Sequence, residues 1–235
     1  MQLFIGNWAP DGRFILSEEE SHHCIRVTRH RTGDRLLISD LKGEIHLGRI
    51  MDENPKQTSC LKEEVWKTEQ ITQGRITIGI SPTQQSDRFE WFLEKSVEAG
   101  VHRIQPLICH RTENQKDKSD RWGRIIRSAV KQTLRAYEPQ LLPAVKLREW
   151  LKTKEDGQRF ICHCGPGHKG FLGSLYQKGV DVTVLIGPEG DFSEEEVAQC
   201  LSVGYTAADL GSLRLRTETA GLAACFILQT VNNCK

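Results

Sequence analysis

No apolar run in the 235 residues reaches the length of a membrane-spanning helix. No basic stretch followed by an apolar core stands near Met1, so no secretory signal is read and the cytoplasm is the expected compartment. The eight cysteines contain no C-x-x-C pair, and without an export signal they are expected as reduced thiols. The short Cys/His cluster Cys162, His163, Cys164 and His168 lacks a second ligand pair, and no metal is expected. Gly165, Gly167 and Gly170 have G-x-G-x-x-G spacing after the run ending at Cys164, but no dinucleotide site is expected from this spacing alone. The stretch Gly165-Pro166-Gly167-His168-Lys169-Gly170 has Phe171 and Leu172 where a phosphate loop needs Lys and Ser/Thr, so it reads as a plain loop. The absence of G-x-S-x-G excludes a hydrolase elbow. Internal repeats and low-complexity segments are also missing.

What is present is an ordinary globular composition, 38% hydrophobic and 27% charged. The length suits a small domain followed by a larger one. The net charge of +1 conceals two basic regions. Residues 21–35 carry four Lys/Arg against one acid, and residues 110–135 carry eight against three. Basic charge gathered in this way suits a polyanionic partner, whereas scattered solvated charge is the commoner use of such residues.

Residues 1–70 are expected to form a small β-barrel. Short apolar runs, Leu36–Asp40 and Ile45–Met51, meet at the hairpin signal Leu41-Lys42-Gly43-Glu44, and Thr58–Trp66 supplies a further strand. Ser17-Glu18-Glu19-Glu20 opens a short helix that carries His22 and Arg26. Thr68–Gly74 reads as a linker. Residues 71–235 then alternate strand and helix, the signature of a parallel sheet covered on both faces. Strands are expected at Arg75–Ser81, Arg103–Ile108, Arg159–Cys164, Asp181–Ile186 and Tyr205–Leu210. A helix capped by Ser86 buries Phe89, Phe92, Leu93, Ser96 and Val97 and stops at Gly100. A basic helix is expected over Asp120–Tyr137, with Arg127, Lys131 and Arg135 on one stripe. Such a stripe suits successive phosphates or simply faces solvent. The last helix is expected over Thr217–Val231.

The last third holds the most specific pattern. The run ending at Ile186 stops at Gly187-Pro188-Glu189-Gly190, and Ser193 with Glu196 forms a capping box for the next helix. The run ending at Leu210 stops at Gly211, and Leu215-Arg216-Thr217-Glu218-Thr219-Ala220 leads into the final helix. Ligands of open α/β sheets sit beyond the carboxyl ends of strands, which is where these loops fall. Gly-Pro-Glu-Gly alone reads equally well as a strand-ending turn, and Thr217 as a helix cap.

Together LIGPEGDFSEEEV and LGSLRLRTETAG resemble the two signature loops of the RsmE family of SPOUT-superfamily methyltransferases. His22-His23, Gly33-Asp34, Glu94–Val101, Pro106-Leu107, Arg111-Thr112 and Gln132–Arg135 agree in order, so the resemblance spans nearly the whole chain. It implies a PUA-like barrel over 1–70 and a trefoil-knotted α/β domain over 71–235. It implies methylation of uridine N3 in 16S ribosomal RNA of the small subunit, with S-adenosylmethionine as donor, no metal, and a homodimer. The implied donor site comprises Leu185, Ile186, Gly187, Pro188, Glu189, Gly190, Leu210, Gly211, Leu215, Arg216, Thr217, Thr219 and Ala220. Arg216 stabilises the uracil anion in this reading, and Glu189 and Glu218 orient it or take the proton. His22, Arg26, Arg29, Arg31, Arg111, Arg127, Lys131 and Arg135 are the candidate RNA contacts. Where many family members begin with arginines, this chain has Met1-Gln2-Leu3-Phe4-Ile5, and no role is assigned there. Where a glutamate is common before Gln132, this chain has Val130-Lys131. The competing readings are a SPOUT enzyme acting on a ribose hydroxyl or a tRNA base, and a non-catalytic RNA-binding assembly factor.

Overall fold

Strand formation begins at the N-terminus, where Leu3 and Phe4 are both fully buried in β1 (Leu3–Trp8). It is followed by β2 (Phe14–Leu16), α1 (Glu18–His22), β3 (Arg35–Ser39), β4 (Glu44–Asp52) and β5 (Ser59–Thr68). Ser17 accepts from the Glu20 amide at 3.3 Å and so caps α1, which continues as a π-helical turn over His23–Val27. The strands close into a barrel in the order β1-β2-β5-β4-β3, with parallel β1–β3 pairing at Leu3↔Leu37. Three register shifts along β4–β5 bend that pair, as closure of a small barrel requires. Alternation along β3 sends Leu36 and Ile38 into one core with Phe4, Phe14 and Ile50, and Leu37 into another with Leu3, Ile45 and Leu47.

The structure is a computed structural model that describes residues 1–69, 74–116, 118–167 and 169–234. Residues 70–73 of the expected linker, and His168 of the Cys/His cluster, lie outside the described residues. The chain forms two units, Met1–Gln70 with Arg127–Glu138, and Ile71–Ile126 with Pro139–Lys235. Among the described residues no helix is long and apolar enough to cross a membrane.

The chain continues with β6 (Ile76–Ile80), α2 (Ser86–Glu98), β7 (Arg103–Ile108) and α3 (Ser119–Thr133), whose residues from Arg127 onward belong to the first unit. Next come β8 (Gln140–Leu141), β9 (Val145–Lys146), α4 (Leu147–Trp150), β10 (Gln158–Cys162), β11 (Gly170–Phe171) and α5 (Leu172–Leu175). The chain ends with β12 (Val182–Ile186), α6 (Glu194–Ser202), β13 (Thr206–Asp209) and α7 (Thr217–Asn233). The sheet order is β11-β13-β10-β12-β6-β7-β8, with β9 beside β7, and every pairing is parallel. The strand β12 therefore lies between two strands that precede it in the chain. Helix α2 buries the face expected of it, although Gln85 rather than Ser86 occupies the cap, and Gly100 (φ 82) ends it.

The basic helix is shorter than the sequence suggests. It ends at Thr133, because Leu134 takes a left-handed conformation (φ 50) and the chain turns to meet the barrel. Ala136 is fully buried in the Leu3–Leu37–Ile45 core, its carbonyl accepts from the Gly43 amide at 3.0 Å, and Tyr137 bridges to Lys42. Arg135 is thus not the third member of a helical stripe. It is buried, its Nε lies 3.5 Å from Glu69 Oε1, and burial pushes its pKa down while Glu69 opposes the shift. Lys131 is also engaged: its Nζ lies 2.6 Å from Oε1 of the buried Glu20, with only 20% of the lysine side chain exposed. Arg127 remains open, its side chain 53% exposed beside Glu138.

Removing one member of a buried ion pair leaves an uncompensated charge. Lys131→Ala is expected to destabilise the first unit by about 3–5 kcal/mol, with Lys131→Arg much milder, in urea unfolding. The barrel also buries a histidine. His46 is buried against the edge of Trp8 at 5.2 Å, and its Nδ1 has no partner. Burial, then the Lys62 charge, holds its pKa below the ordinary 6.5, against the opposing pull of Glu44 and Asp40. As pH falls below about 6.5 the unfolded chain takes up the proton first, so stability present above that value is lost on acidification. The urea midpoint should therefore fall as pH drops below about 6.5, and His46→Leu should flatten this part of the profile.

Candidate active site

The site is built by three strand ends. In β12 all five side chains are buried, since Val182–Ile186 pairs residue for residue with β6 on one side and β10 on the other. The run must leave the sheet at Gly187-Pro188. Ser193 Oγ then accepts from the Glu196 amide at 3.2 Å, and Glu196 Oε2 from the Ser193 amide at 2.9 Å, the expected capping box. Glu196 Oε1 also accepts from the His110 amide, so the cap fastens α6 to the segment after β7. The end of β13 turns at Gly211, whose φ of 124 suits only glycine, and Asp209 Oδ1 accepts the Gly211 amide at 3.2 Å. The third end is that of β10, at Cys162.

A crevice of about 710 Å³ opens between these ends. Its walls include the sequence-predicted residues Ile186, Gly187, Pro188, Glu189, Leu210, Gly211, Leu215, Arg216, Thr217 and Ala220. Four other predicted residues lie off the walls. Leu185 packs in the core with Leu107, Ile161 and Phe192 because its strand is covered on both faces. Gly190 turns its carbonyl to Arg111, whose Nη1 donates to it at 2.5 Å. Glu218 and Thr219 fall on the turns of α7 between Thr217 and Ala220; Glu218 is buried, with Oε2 unpartnered, and Thr219 is exposed. Thr217 is the first helical residue rather than the cap, and its Oγ1 donates to the Gly187 carbonyl at 3.1 Å, joining the two signature loops.

The walls also hold residues that the sequence reading missed: Cys162, His163, Cys164 and Lys169 after β10, Asp191, and Ala208, Asp209, Ser212, Leu213 and Arg214 around β13. Burial pushes the Cys162 thiol up to about 12, with Asp209 adding to the shift, so it lines the wall as a neutral group. Burial, then the Lys169 charge, holds His163 below its ordinary value while Asp191 opposes. Arg214 and Arg216 are exposed and have no ion pair among the described residues. Glu189 Oε1 accepts from the Gln84 amide at 2.8 Å. Apolar walls, the N-terminal end of α7, and both signs of charge thus meet in one crevice. Among the described residues no group of three or more His, Cys, Asp and Glu is arranged to hold a metal.

Of the candidate RNA contacts in the first unit, His22, Arg26, Arg29 and Arg31 are all exposed, with Arg31 Nη1 3.6 Å from Glu53. Arg127 is exposed, whereas Lys131 and Arg135 are committed to Glu20 and Glu69. Arg111 in the second unit is committed to the Gly190 carbonyl.

The family model described as "RNA methyltransferase domain" matches residues 70–229, and "RNA methyltransferase PUA domain" matches residues 16–61. Fold and crevice together thus define an RNA methyltransferase with a PUA-like barrel. Solved structures agree over the whole chain. A "probable rRNA-methyltransferase" from Porphyromonas gingivalis is 35% identical, with a TM-score of 0.90 over 100% of this chain and 99% of that one. A ribosomal RNA small subunit methyltransferase E from Neisseria gonorrhoeae, bound to S-adenosyl methionine, is 31% identical, with a TM-score of 0.87 over 98% of each chain. The protein of that name from Bacillus subtilis is 26% identical over 90% of this chain and 87% of its own. The chain belongs to the RsmE family of RNA methyltransferases.

The Thr217 bond to Gly187 is buried, so its loss leaves a carbonyl without a partner. Thr217→Val is expected to cost about 1–3 kcal/mol in urea unfolding and to speed amide exchange in residues 187–191.

Proposed function

We propose that the chain transfers a methyl group from S-adenosylmethionine to N3 of a uridine in 16S ribosomal RNA, within the small ribosomal subunit. The observation that carries this reading is the crevice at the ends of β10, β12 and β13, walled by both signature loops and holding the unpaired Arg216. Its volume lies in the ordinary range for small-molecule sites. Ile186, Leu210 and Leu215 supply an apolar slot for an adenine ring, and the free amides at the start of α7 suit a carboxylate. The relative from Neisseria gonorrhoeae, whose structure holds S-adenosyl methionine, supports the choice of donor.

S-adenosylmethionine supplies an electrophilic methyl group when bound. The chain must align the uracil ring and stabilise the charge that appears when N3 gives up its proton. Arg216, exposed in the crevice without a carboxylate partner among the described residues, is the group for that anion. Its guanidinium can face a carbonyl oxygen beside N3. Glu189 is the crevice carboxylate on the Gly-Pro-Glu-Gly loop, and with Oε1 fixed by Gln84 its Oε2 is free to accept the proton. Glu218 is buried off the walls, so this role falls to Glu189.

For the RNA we assign His22, Arg26, Arg29, Arg31 and Arg127, exposed members of the candidate set. Lys131 and Arg135 act instead as internal fasteners, and the exposed Arg111 holds the Gly190 carbonyl. The reading carries a cytoplasmic location, a homodimer, and a trefoil knot in the second unit. The position of β12 between the earlier strands β6 and β10 supports the knot.

Arg216→Ala is expected to lower turnover about 10²–10³-fold, the usual effect of deleting one donor to a developing oxyanion. Donor affinity, measured by calorimetry, should stay within about twofold. A matching collapse of donor affinity would place Arg216 in the donor pocket and remove its role in stabilising the anion.

A further inference from the structure

Among the described residues, Asp191 is the only non-glycine crevice residue in the left-handed region, with φ 64. Glycine takes this conformation without strain, and aspartate is among the few other residues that tolerate it. A side chain kept at such a position needs a task, and the contacts supply one. Asp191 Oδ2 accepts from the Cys164 amide at 2.7 Å, 27 residues away in sequence. Its Oδ1 accepts from the Phe192 amide at 2.8 Å, and its own amide donates to the Pro188 carbonyl at 2.9 Å.

The bond to Cys164 joins two crevice walls that the sequence leaves unrelated. One is the Gly-Pro-Glu-Gly-Asp turn after β12; the other is the segment after β10 that contains Gly165-Pro166-Gly167. That second segment has no regular secondary structure between Cys162 and Gly170 among the described residues. Lys169 Nζ closes it on itself by donating to the His163 and Gly165 carbonyls. Among the described residues, the Asp191 carboxylate supplies the hydrogen bond that ties it across to the β12 turn. Amide bonds to a charged acceptor are the stronger kind, and this one spans the crevice mouth between two loops.

We propose that Asp191 is a positioning residue that sets the width of the donor crevice by tethering the 163–167 segment to the 187–191 turn. The inference rests on the reading of this crevice as the S-adenosylmethionine site. Asp191 touches no reacting atom, so its effect falls on donor affinity and donor KM, with the RNA KM unchanged.

The test uses the full chain with Asp191→Gly, which relieves the backbone and removes the tether, and Asp191→Asn, which keeps the left-handed tolerance but can accept only one of the two bonds. Exchange of the Cys164 amide is followed by NMR without ligand, and S-adenosylmethionine affinity by calorimetry. Asp191→Gly should speed Cys164 exchange at least tenfold and weaken donor binding roughly tenfold, with Asp191→Asn between it and the unaltered protein. Unchanged exchange at Cys164 would overturn the tether. Faster exchange with donor affinity within twofold would overturn the positioning role. Failure of the donor reading itself would show separately, as no binding by the unaltered protein, and the ligand-free exchange would still decide the tether.

Discussion

The crevice depends on one constraint, the in-register pairing of Val182–Ile186 with a parallel strand on each side. A strand buried on both faces and both edges has only its ends available to solvent. The backbone of β12 pairs with β6 on one side and β10 on the other, so the chain must break out sharply at Gly187-Pro188. Because the neighbours are parallel, the end of β10 opens on the same edge, and β13 beside it adds a third loop. The ligand crevice is a consequence of strand direction and order, and the loop residues then decide its chemistry.

The loops are held by few, specific bonds. Thr217 fixes Gly187, Arg111 fixes Gly190, Gln84 fixes Glu189, and Asp191 fixes Cys164. Each joins a crevice loop to a different element, so the walls are positioned from several directions at once. Such fastening leaves Arg214 and Arg216 as exposed cations whose charge is available to a ligand. The barrel follows the same economy. Its cationic residues divide into those committed to carboxylates, Lys131 to the buried Glu20 and Arg135 to the half-buried Glu69, and those left outward, Arg26 and Arg29. A count of basic residues cannot make that division, because it depends on which acid the fold brings near.

Much of this was legible from local signals. The β-branched run before Gly187, the Ser193–Glu196 capping box and the apolar face of α2 lie within a few residues of the features they determine. Both signature loops were therefore placed, and most of their residues line the crevice. The rest depended on distant pairings. His163, Cys164 and Lys169 reach the site only because β10 neighbours β12, and strand order leaves no mark in a short window of sequence. The Gly165-Pro166-Gly167 segment looked like an ordinary loop for that reason. The end of α3 was misplaced because Leu134 turns to join the barrel core, a contact with residues near 3, 37 and 45. Leu185 and Glu218 adjoin the crevice in sequence without lining it, since strand alternation and helical rotation carry them off its walls. Two-residue strands such as β8, β9 and β11 are too short to carry any periodicity.

The most direct test is methyl transfer itself. The purified chain would be incubated with methyl-labelled S-adenosylmethionine and small ribosomal subunits from cells that lack the modification, and the digested nucleosides separated by mass spectrometry. The expected result is labelled 3-methyluridine, about one per subunit. Label in a ribose-methylated nucleoside, or no labelled nucleoside from a protein shown to bind the donor, would contradict N3 methylation of small-subunit RNA.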